Sequence, residues 1–234
     1  MKQPLSRRQA FKLGIAATGA LFGAARSSLA WDPGPNENLK RNLTPGKTPI
    51  RLATGLARRE NEEFEVMVKR VRDGGYTSVA TGADPWHDMP ESELAQFRAA
   101  LKKFDVTVYE VGGYRNMLHT VEAERQKNLR HLARCIEAAE KIGCPMVGTI
   151  SGSRDPRNLR ADYFAPHPDN WTETTWKLLI QSVRQVLKDT SGCKCAIGME
   201  AQVTTNQDTP KSHRRLMDDV GDPRLKVNLD PTNM

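Results

Sequence analysis

Two acids stand at matched places in this sequence. Ala196-Ile197-Gly198-Met199-Glu200 is a short apolar run closed by a carboxylate, and Val227-Asn228-Leu229-Asp230 is a second. A carboxylate at the end of a buried apolar strand must be paired, hydrogen-bonded or metal-bound, because burying a lone charge is costly. If the two strands are neighbours in one barrel, their ends converge on one mouth. The pair then supplies half of a site for a hard or borderline divalent cation. Either acid taken alone reads equally well as a helix N-cap or a loop salt bridge.

Two loops add polar and aromatic groups. The longer runs from Ser151 to Trp171 and carries Arg154, Asp155, Arg157, His167, Asp169 and Asn170. Long loops on a working face usually build a binding site or a lid. Hydrogen-bonding groups beside the Trp171 ring would suit a polyhydroxylated ligand. The shorter loop, Asp84-Pro85-Trp86-His87-Asp88, has the same mixed character. Arg154, His167, Asn170, Trp86 and His87 are therefore the candidate ligand contacts, each weighed against a plain surface excursion. His119 begins a helix and is placed toward the mouth. His131 and His213 fall within helical segments and are expected to face solvent. No Cys/His pair has zinc-finger spacing, and no G-x-S-x-G or H-E-x-x-H motif is present.

The elements that must position these residues alternate regularly. Short apolar runs at Ile50–Thr54, Thr77–Thr81, Val106–Val111, Pro145–Ile150, Ala196–Glu200 and Leu225–Asp230 read as strands. Between them lie segments of helical period. Phe64, Met67, Val68 and Val71 form one apolar face. Leu129, Leu132, Ala133 and Ile136 form another, and Trp176, Leu179, Ile180 and Val183 a third. Gly74-Gly75, Gly143, Gly192 and Gly221 mark helix ends, and Thr120, Thr172 and Thr209 mark helix starts. Successive strand–helix units imply a parallel sheet with right-handed crossovers. A doubly wound sheet would announce a ligand loop after its first strand, and no G-x-G-x-x-G or Walker loop is there. The chemistry sits late and at strand ends, which favours an α/β (β/α)8 TIM barrel. Six units fall short of eight, and the run after Asp230 meets no further helix. The expectation is that about two units lie beyond Met234.

The N-terminus carries a different kind of signal. Ser6-Arg7-Arg8-Gln9-Ala10-Phe11-Lys12 precedes an apolar stretch from Leu13 to Phe22, and Ser28-Leu29-Ala30 offers small residues for a peptidase. The paired arginines point to Tat export, with residues 1–30 removed and the protein working in the periplasm or outside the cell. The Tat translocase, which carries folded proteins, would be a transient partner. The apolar stretch is shorter than the ~20 residues of a membrane span, so no stable membrane anchor is expected. Residues 31–48, rich in Pro, Gly and Asn, read as an extended lead-in, and the barrel occupies 49–234. The whole chain has 35 basic and 28 acidic residues, but five of the basic ones lie in the signal, leaving a mature charge of +2. Nucleic acid is therefore not implied as a partner. Cys135, Cys144, Cys193 and Cys195 have no metal or redox spacing. They read as ordinary small residues, with a disulfide open in an oxidising compartment.

From about Ile50 onward the chain resembles the xylose-isomerase-like TIM-barrel superfamily, the group of sugar phosphate isomerases and epimerases. Ile197-Gly198-Met199-Glu200 and Val227-Asn228-Leu229-Asp230-Pro231-Thr232-Asn233 carry the resemblance most specifically. Gly148 to Trp171 resembles exported members of the group. The resemblance implies one divalent metal, Mn²⁺ first, with Mg²⁺, Co²⁺ or Zn²⁺ as alternatives. Family members hold it with Glu, Asp, His and Glu from the last four strands. Glu200 matches the first and Asp230 the second, while the His and the last Glu would fall beyond Met234. Ketose epimerases of the group carry D-x-x-H where this chain has Asp230-Pro231-Thr232-Asn233, so Asn233 stands where that His would be. The implied chemistry is isomerisation or epimerisation of a sugar or keto-sugar by proton transfer through an enediolate, with Glu200 as ligand and acid/base. A keto-sugar lyase or dehydratase and a non-catalytic carbohydrate-binding barrel are the alternatives. An endonuclease of the same fold would need more metal-binding His residues and a basic face.

Overall fold

A computed structural model describes residues 51–157 and 164–233. The expected export signal and the lead-in lie outside the described residues. Six strands form one parallel sheet in sequence order: β1 Ala53–Gly55, β2 Ser78–Gly82, β3 Thr107–Gly112, β4 Met146–Thr149, β5 Ala196–Glu200 and β6 Leu225–Asn228. Helices alternate with them: α1 Phe64–Asp73, α2 Asp84–His87, α3 Glu91–Lys103, α4 Glu122–Ile142, α5 Glu173–Asp189 and α6 Pro210–Val220. This is a partial (β/α) barrel. β1 and β6 each pair on one side among the described residues.

The helices cover the sheet with the faces their spacing predicts. Phe64, Met67, Val68 and Val71 of α1 are all buried, as are Leu129, Leu132 and Ile136 of α4. In α5, Trp176, Leu179 and Val183 are buried, with Ile180 packed at the core's edge. Gly143 and Gly221 end α4 and α6 at φ 72°, a left-handed backbone that favours glycine. Thr172 and Thr209 accept backbone N–H groups at the starts of α5 and α6. Thr120 does not cap α4: Val121 occupies that position, and its N–H donates to His119 Nδ1 at 3.1 Å.

The barrel's inner face is cleared by a row of glycines. Gly112 pairs with Gly148, and Gly148 pairs with Gly198, across β3, β4 and β5. A Cβ on Gly148 would stand 2.6 Å from Glu110 Cδ and 2.9 Å from the Tyr114 hydroxyl, closer than real contacts allow. On β3 the pairing with β2 skips Tyr109: Val79 opposes Val108, but Ala80 opposes Glu110. Such a bulge resets the alternation of faces. Val108 and Val111 both join the helix-side core, and Glu110 between them turns inward.

Candidate functional site at the strand ends

β5 carries Glu200 at its last residue, opposite Asn228 of β6. β6 ends at Asn228, and Asp230 lies two residues beyond it. A single-turn helix, Pro231–Asn233, then folds Asn233 back over the strand ends. Its Nδ2 donates to Glu200 Oε1 at 2.8 Å and to Asp230 Oδ2 at 3.0 Å, so one amide joins the two acids. Asp230 Oδ1 accepts from the Thr232 hydroxyl at 2.6 Å and its N–H at 2.9 Å. These bonds from Thr232 hold the Asp230 carboxyl below its usual range.

The other oxygen of Glu200 faces inward. Oε2 accepts from the Tyr114 hydroxyl at 2.6 Å and from Asn228 Nδ2 at 3.2 Å. A second carboxylate, Glu110, lies behind. Its Oε1 is 3.2 Å from the Tyr114 hydroxyl, and its Oε2 accepts from Asn228 Nδ2 at 3.1 Å. Burial pushes the Glu110 carboxyl up, and the Glu200 charge adds to the rise against the hydrogen bonds from Tyr114 and Asn228. Burial and the flanking acids also raise the Tyr114 phenol, so it is a proton donor at ordinary pH. Sequence reasoning missed Glu110 and Tyr114. By plain alternation Glu110 shares a side with Val108 and would face the helices, and only the bulge turns it inward.

The structure brings Glu200, Asp230 and Asn233 together and places the other candidates elsewhere. Trp86 is corrected to a core residue. It is 3% exposed, stacked on Phe97 at 4.3 Å, with its indole N–H donated to Thr81 Oγ1. Its loop folds into α2 because the ring is worth more buried against Phe64 and Phe97 than offered to solvent. His87 turns outward to Asp88 and to Glu137 of α4. Asn170 is wholly buried and structural. Its Oδ1 accepts from the Arg154 N–H at 2.7 Å and the Ser153 hydroxyl at 3.3 Å, and its Nδ2 donates to the carbonyls of Ala165 and Thr204. Arg154 is spent on the Leu118 and His119 carbonyls, and His167 Nδ1 accepts the Asp169 N–H.

His213 is also corrected. It is buried, not solvent-facing, and its Nε2 meets no partner. His131 is half-buried, with Nε2 3.4 Å from Cys135 Sγ. All four cysteines are free thiols, and burial pushes Cys135 and Cys195 up to about 12 and Cys144 to about 11. Such thiols are inert.

Comparison with known proteins accords with this architecture. A family model described as Xylose isomerase-like TIM barrel matches residues 68–234. The chain belongs to the xylose isomerase-like TIM-barrel family. No curated protein sequence matches it. Among solved structures, this xylose isomerase-like chain is similar to a xylose isomerase domain protein from Planctomyces limnophilus at 17% identity, covering 80% of this chain and 64% of that one (TM-score 0.57). It is similar to D-psicose 3-epimerase with D-tagatose from Clostridium cellulolyticum H10 at 16% identity, covering 76% and 62% (TM-score 0.58). It is similar to a probable 3-DHS dehydratase from Bacillus anthracis at 15% identity, covering 77% and 63% (TM-score 0.57). The chain thus spans less than two thirds of the length of each. At these identities the likeness shows the fold.

The donor set can be tested against a divalent metal. Glu200 and Asp230 offer carboxylate oxygens that converge on one point, where the Asn233 amide nitrogen now sits within 3.0 Å of both. Oxygen donors of this kind suit Mg²⁺ or Mn²⁺. Asn233 can also present its Oδ1 by turning the amide. Among the described residues no group of three His, Cys, Asp or Glu side chains converges. The fit is therefore that of a partial donor set. Among the described residues no helix is long and apolar enough to cross a membrane.

Proposed function

We propose that this protein is a metal-dependent sugar isomerase or epimerase acting by proton transfer beside the carbonyl of a sugar or keto-sugar. The observation that carries the proposal is the convergence of Glu200 and Asp230 on Asn233 at the ends of adjacent strands. Similar folds in proteins named as sugar epimerases support the substrate class. Glu200 and Asp230 would hold the metal, Mn²⁺ by preference, and Asn233 would turn its amide oxygen toward it. When bound, the metal supplies a Lewis acid for vicinal substrate oxygens.

The chain's own residues do the rest. Glu200 would take a proton from the carbon beside the carbonyl; returned to the former carbonyl carbon it gives isomerisation, and delivered to the opposite face by a second acid it gives epimerisation. Tyr114 and Asn228 hold one Glu200 oxygen, leaving the other toward the mouth. The same proton abstraction can instead expel a neighbouring hydroxyl as water, which keeps the lyase reading in view. The working place proposed is the periplasm or the outside of the cell, after Tat export. An N-terminal sequence of the exported protein that begins near Trp31 supports that, and one that begins at Met1 contradicts cleavage.

Calorimetric titration of the native protein with Mn²⁺, beside a turnover screen on keto-sugars, tests the proposal. Glu200→Gln should lose turnover and weaken Mn²⁺ binding, and Asp230→Asn should mainly weaken binding. Variants that bind Mn²⁺ like the parent would place the site elsewhere.

A further inference from the structure

The hydrogen bonds around Glu200 are unequal in a way that ligation alone does not require. Oε2 receives two donors, the Tyr114 hydroxyl at 2.6 Å and Asn228 Nδ2 at 3.2 Å, whereas Oε1 receives Asn233 alone. A carboxylate free to turn about its Cγ–Cδ bond would present its oxygens over a broad range of directions. This one is pinned from behind, and what pins it is itself supported. The Tyr114 hydroxyl lies 3.2 Å from Glu110 Oε1, and Asn228 Nδ2 bridges to Glu110 Oε2. Three devices in the fold serve this one arrangement. The bulge at Tyr109 turns Glu110 inward, Gly148 leaves the space that Glu110 and Tyr114 fill, and the register sets Asn228 opposite Glu200.

Stability does not account for it. A second carboxylate set behind the first, sharing the same phenol and amide, opposes the first by like charge. An apolar residue would fill the same space without that repulsion. We propose that Tyr114 and Glu110 are positioning residues that fix the plane of the Glu200 carboxylate, and with it the direction in which its outer oxygen faces the mouth. Tyr114 clamps Oε2, and Glu110 holds Tyr114 at the angle from which it does so. The inference rests on the reading of Glu200 as the working carboxylate.

Two variants test it. Tyr114→Phe removes the clamp with almost no change of shape. Gly148→Ala deletes no polar group but drives a methyl into the space of Glu110 and Tyr114 and displaces them. Each should lower kcat ~10–100-fold with KM within about twofold, and weaken Mn²⁺ binding by calorimetry to a similar degree, as outer-shell changes do. Thermal melting should show Tyr114→Phe folded, which separates lost orientation from lost structure. Crystal structures of the metal-free proteins give a readout that needs no activity. Glu200 should hold one orientation in the parent and a second, rotated one in Tyr114→Phe. If the variant's Glu200 stays in place, or its kcat and Mn²⁺ affinity match the parent, the positioning role is overturned. If the parent neither binds Mn²⁺ nor turns over a keto-sugar while Glu200 rotates in the variant, the clamp stands and the isomerase reading fails instead.

Discussion

Two buried glutamates in this barrel are treated in opposite ways. Glu62, before α1, is gripped by Arg70 through two bonds at 3.0 and 2.9 Å and by the Arg59 N–H at 3.0 Å. Those bonds, Arg70 first, hold its carboxyl down at about 2. Glu110, on β3, takes its hydrogen bonds from the Tyr114 hydroxyl and the Asn228 amide instead, and burial pushes its carboxyl up, with the Glu200 charge adding to the rise. The first third of the barrel satisfies its polar groups locally and packs Phe64, Trp86 and Phe97 beneath them. The strand ends from β3 to β6 instead gather acids, a phenol and two amides on one another. A scaffold pairs its charges, whereas a working site holds unlike demands close together.

The contrast predicts a graded series. Glu200→Gln should cost ~10²–10⁴-fold in kcat, the span of a lost acid/base group, while thermal melting changes little. Trp86→Ala should do the reverse. Emptying a stacked core position should cost about 3–5 kcal/mol by denaturant unfolding, with KM for the folded protein unchanged. A raised KM would return Trp86 to the binding surface.

Arg70→Ala should cost less, about 1–2 kcal/mol, because the Arg70 side chain is 36% exposed and water screens part of the pair. The pH dependence carries a sign. Glu62 has a depressed folded pKa, so its stabilisation is complete above about 4.5, the ordinary glutamate value, and fades as pH falls through about 2. Unfolding of Glu62→Gln should therefore differ most from the parent at pH 7 and converge with it only as pH falls through about 2. Glu110 has the opposite sign. Its raised folded pKa gives stability that is present at low pH and lost as pH rises through that value. Glu110→Gln should be neutral or slightly stabilising at pH 7, by under ~1 kcal/mol, and lose that advantage in acid. Destabilisation at pH 7 would break the comparison between the two glutamates.

Much of the fold was legible in the sequence, and the rest has identifiable causes. Strand β5 matched its predicted bounds because Ala196–Glu200 is a continuous apolar run flanked by turn residues, whereas β6 began at Leu225 as expected but ended at Asn228, short of Asp230. The α1 face was written in the spacing of Phe64, Met67, Val68 and Val71. Trp86 was misread because an aromatic among polar residues looks the same in a ligand loop and in a short helix laid on a core. Asn170 was misread because its polar side chain serves the loop's own backbone, at Arg154, Ala165 and Thr204. Glu110 and Tyr114 were invisible because a bulge has no period. One extra residue at Tyr109 reverses which face Glu110 takes, and the strand reads as ordinary without it.

The central claim, that Glu200 moves a proton at the carbon beside a carbonyl, can be read without knowing the natural substrate. Keto-sugars are incubated with the Mn²⁺-loaded native protein in D₂O and followed by proton NMR. The account predicts loss of one carbon-bound proton signal of the keto-sugar as solvent deuterium replaces it, and no such loss with Glu200→Gln. Exchange in the variant at the parent's rate would contradict it.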